Sequence, residues 1–254
     1  MRREIFTEEH EVFRAEFRRF AASEIAPKVE KWNADGVTDR DTWLRMGEAG
    51  FLGVNITEEY GGGGGDFLFS AIVLEELARI RAWALQVAVH ADTSMPYLLH
   101  FGSAAHKERY LPPAVRGQIL IALALTEPAA GSDLAGMQTR ALRDGDHYVL
   151  NGSKTFISHG QTCDLAIVAA KTDPEASPAH NGISLFLVDA DRPGFRRGRN
   201  LDKLGFKGQD TSELFFDDCR VPVENRLGGE GAGFKLLMAG LQQERLVSAV
   251  QTIA

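Results

Sequence analysis

Two stretches of the 254-residue chain place chemically useful side chains close together. Leu125-Thr-Glu-Pro-Ala-Ala-Gly-Ser-Asp133 joins an apolar β-type run to a turn and gathers Thr126, Ser132 and several backbone amides at one place. The small residues Ala129, Ala130 and Gly131 would let a flat or anionic ligand approach the backbone, although a plain turn has the same composition. Asn151-Gly-Ser-Lys-Thr-Phe-Ile-Ser158 is β-type, and strand side chains alternate between faces, so Phe156 and Ser158 share one side. An aromatic beside a hydroxyl suits an isoalloxazine ring, which needs a stacking surface and a donor near its reactive nitrogen. Core packing of Phe156 is the plainer alternative.

Other residues with chemical potential carry less. The glycines at 61–65 are followed by Asp66 rather than Lys-Ser/Thr, so they cannot form a phosphate-cradling loop of the nucleotide-hydrolase type. Gly229-Glu-Gly231-Ala-Gly233 lacks the dinucleotide spacing and follows no strand; both stretches read as permissive turns ahead of helices. His90, His100, His106, His147, His159 and His180 have no metal-ligand spacing and are expected at the surface or in caps. Arg192, Arg196, Arg197 and Arg199 are expected in a solvated loop. Cys163 and Cys219 exclude a disulfide scaffold and lack a zinc-binding pattern; reduced thiols fit a cytoplasmic setting. A net charge of −7 argues against general nucleic-acid binding. No apolar run approaches the roughly 20 residues of a membrane span. The first residues carry Glu4, Glu8 and Glu9 and no apolar segment, so neither a secretory signal nor a transit peptide is expected.

The elements that must position these residues fall into three textures. Val12, Phe13, Phe17 and Phe20 recur at helical spacing between Thr7 and Ala26, with Pro27 expected just past the end. Further helices are expected at 41–49, at 67–80 (with Glu75 and Glu76 reaching an edge), at about 83–100 and at 103–115. From Gln118 to Pro222 short β-rich runs alternate with turns, the pattern of a barrel or sandwich, with strands expected at 119–126, 139–143, 148–158, 164–171, 183–188 and 212–216. Gly145 in Arg143-Asp-Gly-Asp146 suits a hairpin turn, and 173–182 reads as a polar loop. Gly233 to Ala254 reads as one helix.

At this point a resemblance becomes specific. Leu125–Asp133, Asn151–Gly160, Gly182–Val188, Gly208–Pro222 and Gly231–Leu246 resemble the acyl-CoA dehydrogenases, as do Glu58-Glu-Tyr-Gly-Gly62 and Lys107-Glu-Arg-Tyr-Leu111, all in the family's order. The details are most similar to the long-chain members. The resemblance implies an α+β multidomain fold: an N-terminal all-α domain (1–118), a central β-barrel or sandwich domain binding flavin and acyl-CoA (119–228), and the first helix (229–254) of a truncated C-terminal helical bundle. It implies FAD as cofactor, an acyl-CoA substrate of medium or long chain, electron-transfer flavoprotein as partner, and a homo-oligomer, tetramer or dimer, in the full-length protein.

Position by position, the resemblance places Leu123, Leu125 and Thr126 at the strand end that meets the flavin, with only a backbone role carried over for Leu123. Phe156 would lie against the flavin, and Ser158 would hydrogen-bond near its N5. Ser132 would touch the CoA portion, Arg245 belongs to the substrate-binding helix, and Gln242 stands where some relatives place an aspartate. The base that removes the α-proton is implied at Glu244, within Gln243-Glu-Arg-Leu246. At 100° per residue Glu244 shares a helix face with Leu237, Leu241 and Ser248, which would raise its pKa into a useful range. The competing expectation is a solvated Glu244–Arg245 pair. The rival to an enzyme is a non-catalytic acyl-CoA-binding or assembly fragment unable to retain FAD.

Overall fold

The computed structural model describes residues 4–254. Thr7 opens helix α1 (Glu8–Phe20) through a reciprocal cap with His10, and acidic residues in its first turn and Arg18 and Arg19 in its last complement the helix dipole. The chain does not stop before Pro27. A π-helical turn (Ala21–Ile25) and a 3₁₀ turn (Ala26–Lys28) carry it through to α2 (Val29–Asp35). Pro27 sits in the opening of the 3₁₀ turn, where its missing N–H costs no bond. Asp39 caps α3 (Arg40–Glu48) and Asp66 caps α4 (Phe67–Arg79). A second π-helical turn (Ala88–Ser94) leads into α5 (Met95–Phe101), and Ser103 with His106 caps α6 (Ala104–Val115).

Glu76 does not reach an edge. It is 3% exposed and receives Arg18 Nε at 2.8 Å and Arg14 Nη1 at 3.3 Å across the α1–α4 contact. Burial works to raise its pKa, but Arg18 and Arg14 outweigh it and hold the carboxyl below the ordinary value.

Eight strands follow: β1 (Ile121–Ala124), β2 (Arg140–Asp144), β3 (His147–Ser158), β4 (Leu165–Lys171), β5 (Ile183–Asp189), β6 (Phe195–Asn200), β7 (Thr211–Pro222) and β8 (Arg226–Leu227). They form one sheet in the order β6-β7-β3-β2-β4-β5-β8, with β1 parallel to β4. Alternation divides β4 between two cores. Leu165, Ile167 and Ala169 face the helices, whereas Ala166, Val168 and Ala170 face the interior of the sheet; Leu185 and Phe186 of β5 divide likewise. Burial on both faces explains their unbroken apolar sequence.

Three sequence expectations change here. The arginines at 196, 197 and 199 belong to strand β6; Arg197 donates to the Cys163 carbonyl at 2.7 Å, and Arg196 covers the Phe215 ring. Pairing with β6 and β3 extends β7 to Pro222. His90 and His159 are core residues, edge-on to Trp43 at the seam between helices and sheet. His90 accepts from Ile121 N through Nδ1 and donates Nε2–H to the Ala114 carbonyl, so it remains neutral; burial pulls its pKa down to about 3.

The last helix, α7 (Gly233–Ile253), packs against α4, α5, the Ala88–Ser94 turn and β5. The fold is therefore an N-terminal helical domain, a central β-sheet domain and one C-terminal helix. Among the described residues no helix is long and apolar enough to cross a membrane.

Candidate active site

The strand end Leu123–Thr126 is held in place from β3. Lys154, fully buried, donates to the Leu125 carbonyl at 3.0 Å and to Glu127 Oε1 at 2.7 Å, and Thr155 N donates to the Thr126 carbonyl at 2.9 Å. Glu127 also accepts the backbone amides of Gln138 (2.6 Å) and Thr139 (3.0 Å), closing the 127–139 loop over its own base. Burial favours a neutral Glu127, yet Lys154 and the two amides together hold its pKa below the ordinary value. Leu123, Leu125 and Thr126 remain half-buried at the rim. Sequence reading found the loop but missed Lys154, although the residue lies inside the quoted motif.

Phe156 lies beside this strand end by a different device from simple alternation. Between Lys154 and Ile157 the β3–β7 register slips, three steps on β3 against two on β7, so one extra residue is accommodated. Lys154 and Thr155 are both buried, and Phe156 takes a left-handed backbone, φ 58°, with 68% of its surface exposed. A bulky residue strained in this way and left in water is unusual for a core aromatic. Ser158 Oγ accepts from Gln209 Nε2 at 2.6 Å, which leaves its own O–H to donate. An exposed ring beside an available hydroxyl is the arrangement a flat, hydrogen-bonding cofactor needs.

Glu244 approaches from the other side. The Ala88–Ser94 turn packs against both β1 and α7, which links the two parts of the site. Gly240, one turn before Glu244, lets α7 approach Tyr97: a Cβ there would lie 2.6 Å from the tyrosine oxygen. Tyr97 then donates its hydroxyl to Glu244 Oε1 at 2.8 Å. Burial raises the Glu244 pKa, with the Tyr97 bond and the Arg245 charge pulling back more weakly. Glu244 is thus a partly desolvated carboxyl hydrogen-bonded to a buried phenol; it forms no ion pair with Arg245 among the described residues.

Glu244 lines a cavity of about 310 Å³ together with Tyr97, Asn55, Phe67, Asp92 and Gln243. Of the other expected site residues, Arg245 lies with Leu241 and Ser248 along a shallow groove on the far side of Glu244. Ser132 and Gln242 are exposed and do not line the cavity; Gln243, its neighbour, does. Tyr97 and Asp92 carried no local signal, because they meet α7 only through a contact spanning about 150 positions. Among the described residues no three His, Cys, Asp or Glu side chains could hold a metal ion.

Comparison with known proteins agrees with this architecture. Residues 7–118 match the acyl-CoA dehydrogenase N-terminal domain and residues 122–219 the acyl-CoA dehydrogenase middle domain. The chain is 46% identical over 253 residues to the long-chain specific acyl-CoA dehydrogenase, mitochondrial, of Mus musculus, covering 99% of this chain and 59% of that protein. Among solved structures, an acyl-CoA dehydrogenase from Geobacillus kaustophilus superimposes with a TM-score of 0.96 at 48% identity, covering 98% of this chain and 65% of that one. An acyl-CoA dehydrogenase complexed with FAD from Bacillus anthracis gives 0.90 at 33% identity, over all of this chain and 43% of its own. With the helical and sheet domains both matched in order over most of its length, the chain belongs to the acyl-CoA dehydrogenase family.

Proposed function

We propose that this chain supplies the flavin seat and the catalytic base for α,β-dehydrogenation of a fatty acyl-CoA to the trans-2-enoyl-CoA, with electrons passed on to an electron-transfer flavoprotein. The observation that carries the reading is Glu244: a carboxyl with a burial-raised pKa, bonded to Tyr97, on the wall of a partly enclosed cavity. A base that removes a weakly acidic α-proton works best when its pKa lies near the working pH and water is excluded.

The residues present fit FAD. Phe156 offers an exposed ring that the protein's own packing does not use, Ser158 offers an O–H, and the Leu123–Thr126 backbone is fixed beside them by Lys154 and Thr155. FAD, when bound, would accept the hydride that leaves the β-carbon. Glu244 takes the α-proton, and Tyr97 stabilises its carboxylate before the transfer and releases it afterwards. The cavity wall of Phe67, Pro96 and Phe101 shields the acyl chain from water. Ser132 and Arg245, both exposed and outside the cavity lining, would meet the outer portion of the substrate, with Gln242 one turn before Arg245 on the same helix. The relative with FAD in its structure supports the cofactor assignment.

Anaerobic mixing of the FAD-loaded protein with octanoyl-CoA tests the reading. Bleaching of the flavin absorbance is the expected result; flavin that stays oxidised while the thioester binds would overturn it.

A further inference from the structure

The hydroxyl of Ser158 can face a ligand in two ways. It carries one proton and two acceptor lone pairs, and its O–H rotates toward whichever partner suits it. Ser158 closes β3 and is half-buried. Among the described residues its hydroxyl makes one hydrogen bond, accepted from Gln209 Nε2 at 2.6 Å. Which end of the hydroxyl reaches a bound flavin is therefore decided by Gln209.

Gln209 is 9% exposed and stands just before β7, at the end of a segment that leaves the sheet to touch the helical domain. That segment is fastened at successive points. Phe206 stands edge-on to Trp83, with ring centres 5.9 Å apart. Gly208 presses into the helices: a Cβ there would lie 2.8 Å from Ala84 Cβ and 2.9 Å from the Trp32 carbonyl carbon, and its amide donates to Asn33 Oδ1 at 3.2 Å. Gln209 N donates to the Phe206 carbonyl at 3.0 Å, and Lys203 Nζ donates to the Gln209 carbonyl at 2.5 Å. Asp210, 1% exposed, accepts the amides of Gln161 and Thr162 at 2.8 and 3.1 Å, which fixes the turn that follows Ser158. The amide is thus held from the helical domain and the hydroxyl from the sheet.

Resting on the flavin reading above, we propose that Gln209 is a positioning residue: by donating to Ser158 Oγ it turns the hydroxyl proton outward, so that Ser158 meets flavin N5 as a donor. N5 of an oxidised flavin is a pyridine-type nitrogen with a lone pair and no proton, so it can only accept. A hydroxyl presenting a lone pair would repel it. Donation also draws electron density away from the atom that receives the hydride. A proton already aimed at that atom needs no reorganisation during the reaction. Gln209 itself touches neither flavin nor substrate and acts through Ser158.

The experiment loads the chain with oxidised FAD isotopically labelled at N5 and records the nitrogen resonance, which a donated hydrogen bond moves upfield. Ser158→Ala gives the position without the bond. Gln209→Glu keeps the side-chain length but, at about pH 8, offers an ionised carboxylate that takes the Ser158 proton. It is expected to carry the resonance most of the way to the Ser158→Ala position and to weaken FAD binding about fivefold, the worth of one net hydrogen bond. Gln209→Met, which neither donates nor takes the proton, is expected to carry the resonance part of the way. In the Ser158→Ala background neither substitution is expected to move it further. Either variant leaving the resonance at the parent position overturns the inference; an amide turned the other way, for instance, would already hold the proton, and Gln209→Glu would change nothing. Equal movement with and without Ser158 also overturns it, because Gln209 would then be acting on the fold rather than on the hydroxyl. Both outcomes leave the flavin reading intact, whereas a parent chain that takes up no FAD overturns both. If Gln209→Glu does not fold, Gln209→Met and its combination with Ser158→Ala decide.

Discussion

The hydroxyl of Tyr97 on α5 reaches Glu244 Oε1 on α7 at 2.8 Å, and this bond ties the candidate base to the helical domain. It stabilises the ionised carboxylate against the desolvation that raises its pKa. Removing it by Tyr97→Phe therefore raises the Glu244 pKa further. The sign follows directly: a base must be deprotonated to act, so the acid limb of flavin reduction moves to higher pH, while the plateau at high pH stays near the parent rate. A single-turnover pH profile checks this. A limb that moves to lower pH would mean that Tyr97 does not act on the carboxylate.

Glu244→Gln keeps the size of the side chain and can still accept from Tyr97, but it cannot take up a proton. Flavin reduction by an acyl-CoA is expected to slow by 10²–10⁴-fold, roughly 3–5 kcal/mol of barrier, with FAD binding unchanged. A surface carboxylate would change the rate by less than about threefold, and stopped-flow absorbance separates the two.

How far the sequence disclosed this site depends on which contacts are local. Leu125–Asp133 and Asn151–Ser158 were readable because each is a contiguous run, and the structure joins them through Lys154 and Thr155. The helices at 67–80 and 103–115 were readable from periodicity and caps. Alternation put Phe156 on one side with Ser158 for an incomplete reason, because a bulge is a property of two paired strands and leaves no trace in one of them. Strand β6 was taken for a loop because its arginines look solvated, although the alkyl stems and guanidinium groups lie along ring faces and a carbonyl. His90, His159 and Glu76 were misplaced because the partners that let them be buried lie far away in sequence.

The Lys154–Glu127 pair is the structural anchor of the Leu123–Thr126 strand end. Lys154→Met leaves Glu127 buried with its two amides but no cation, which costs about 3–5 kcal/mol at neutral pH. In the parent, the low Glu127 pKa contributes stability above the ordinary carboxylate range, lost as pH falls through the folded value. In Lys154→Met that contribution disappears, so the gap between variant and parent narrows as the pH is lowered toward 4. Urea unfolding at pH 7 and pH 4.5 measures it, and the double variant with Glu127→Gln is expected to recover more than half of the loss.

Phe156 trades stability for a surface. Its left-handed backbone costs about 1–2 kcal/mol, which glycine would not incur. Glycine's greater freedom in the unfolded chain returns roughly 0.5–1 kcal/mol of that. Phe156→Gly is therefore expected to melt at or slightly above the parent temperature, while FAD binds about 2–10-fold more weakly for loss of ring stacking. Phe156→Ala keeps the strain and loses the ring, so it should weaken FAD equally without gaining stability. A Phe156→Gly protein that melts well below the parent would show that the ring belongs to the core after all.

His90 and Asp92, two residues apart on the same π-helical turn, should load the protein's acid stability in opposite directions. Burial pulls His90 down to about 3 from its ordinary 6.5, so between those values the unfolded chain holds a proton the folded one lacks, and stability falls as pH falls. Burial lifts Asp92 to about 7 from 3.8, so across that window the folded chain holds the extra proton, and stability falls as pH rises. Each slope is about 1.4 kcal/mol per pH unit, and between about pH 4.5 and 6.5 the two nearly cancel. Other buried histidines titrate over the same interval, so each of the two contributions is read as a difference between variant and parent. Asp92→Leu removes the aspartate slope, so relative to the parent it should lose about 2–3 kcal/mol of stability from pH 6.5 to 4.5. His90→Gln removes the opposite slope, so relative to the parent it should gain about 2–3 kcal/mol over the same acidification. Urea unfolding of all three proteins at four pH values across the window checks both. Parallel curves for parent and Asp92→Leu would mean that Asp92 is ionised in the folded protein.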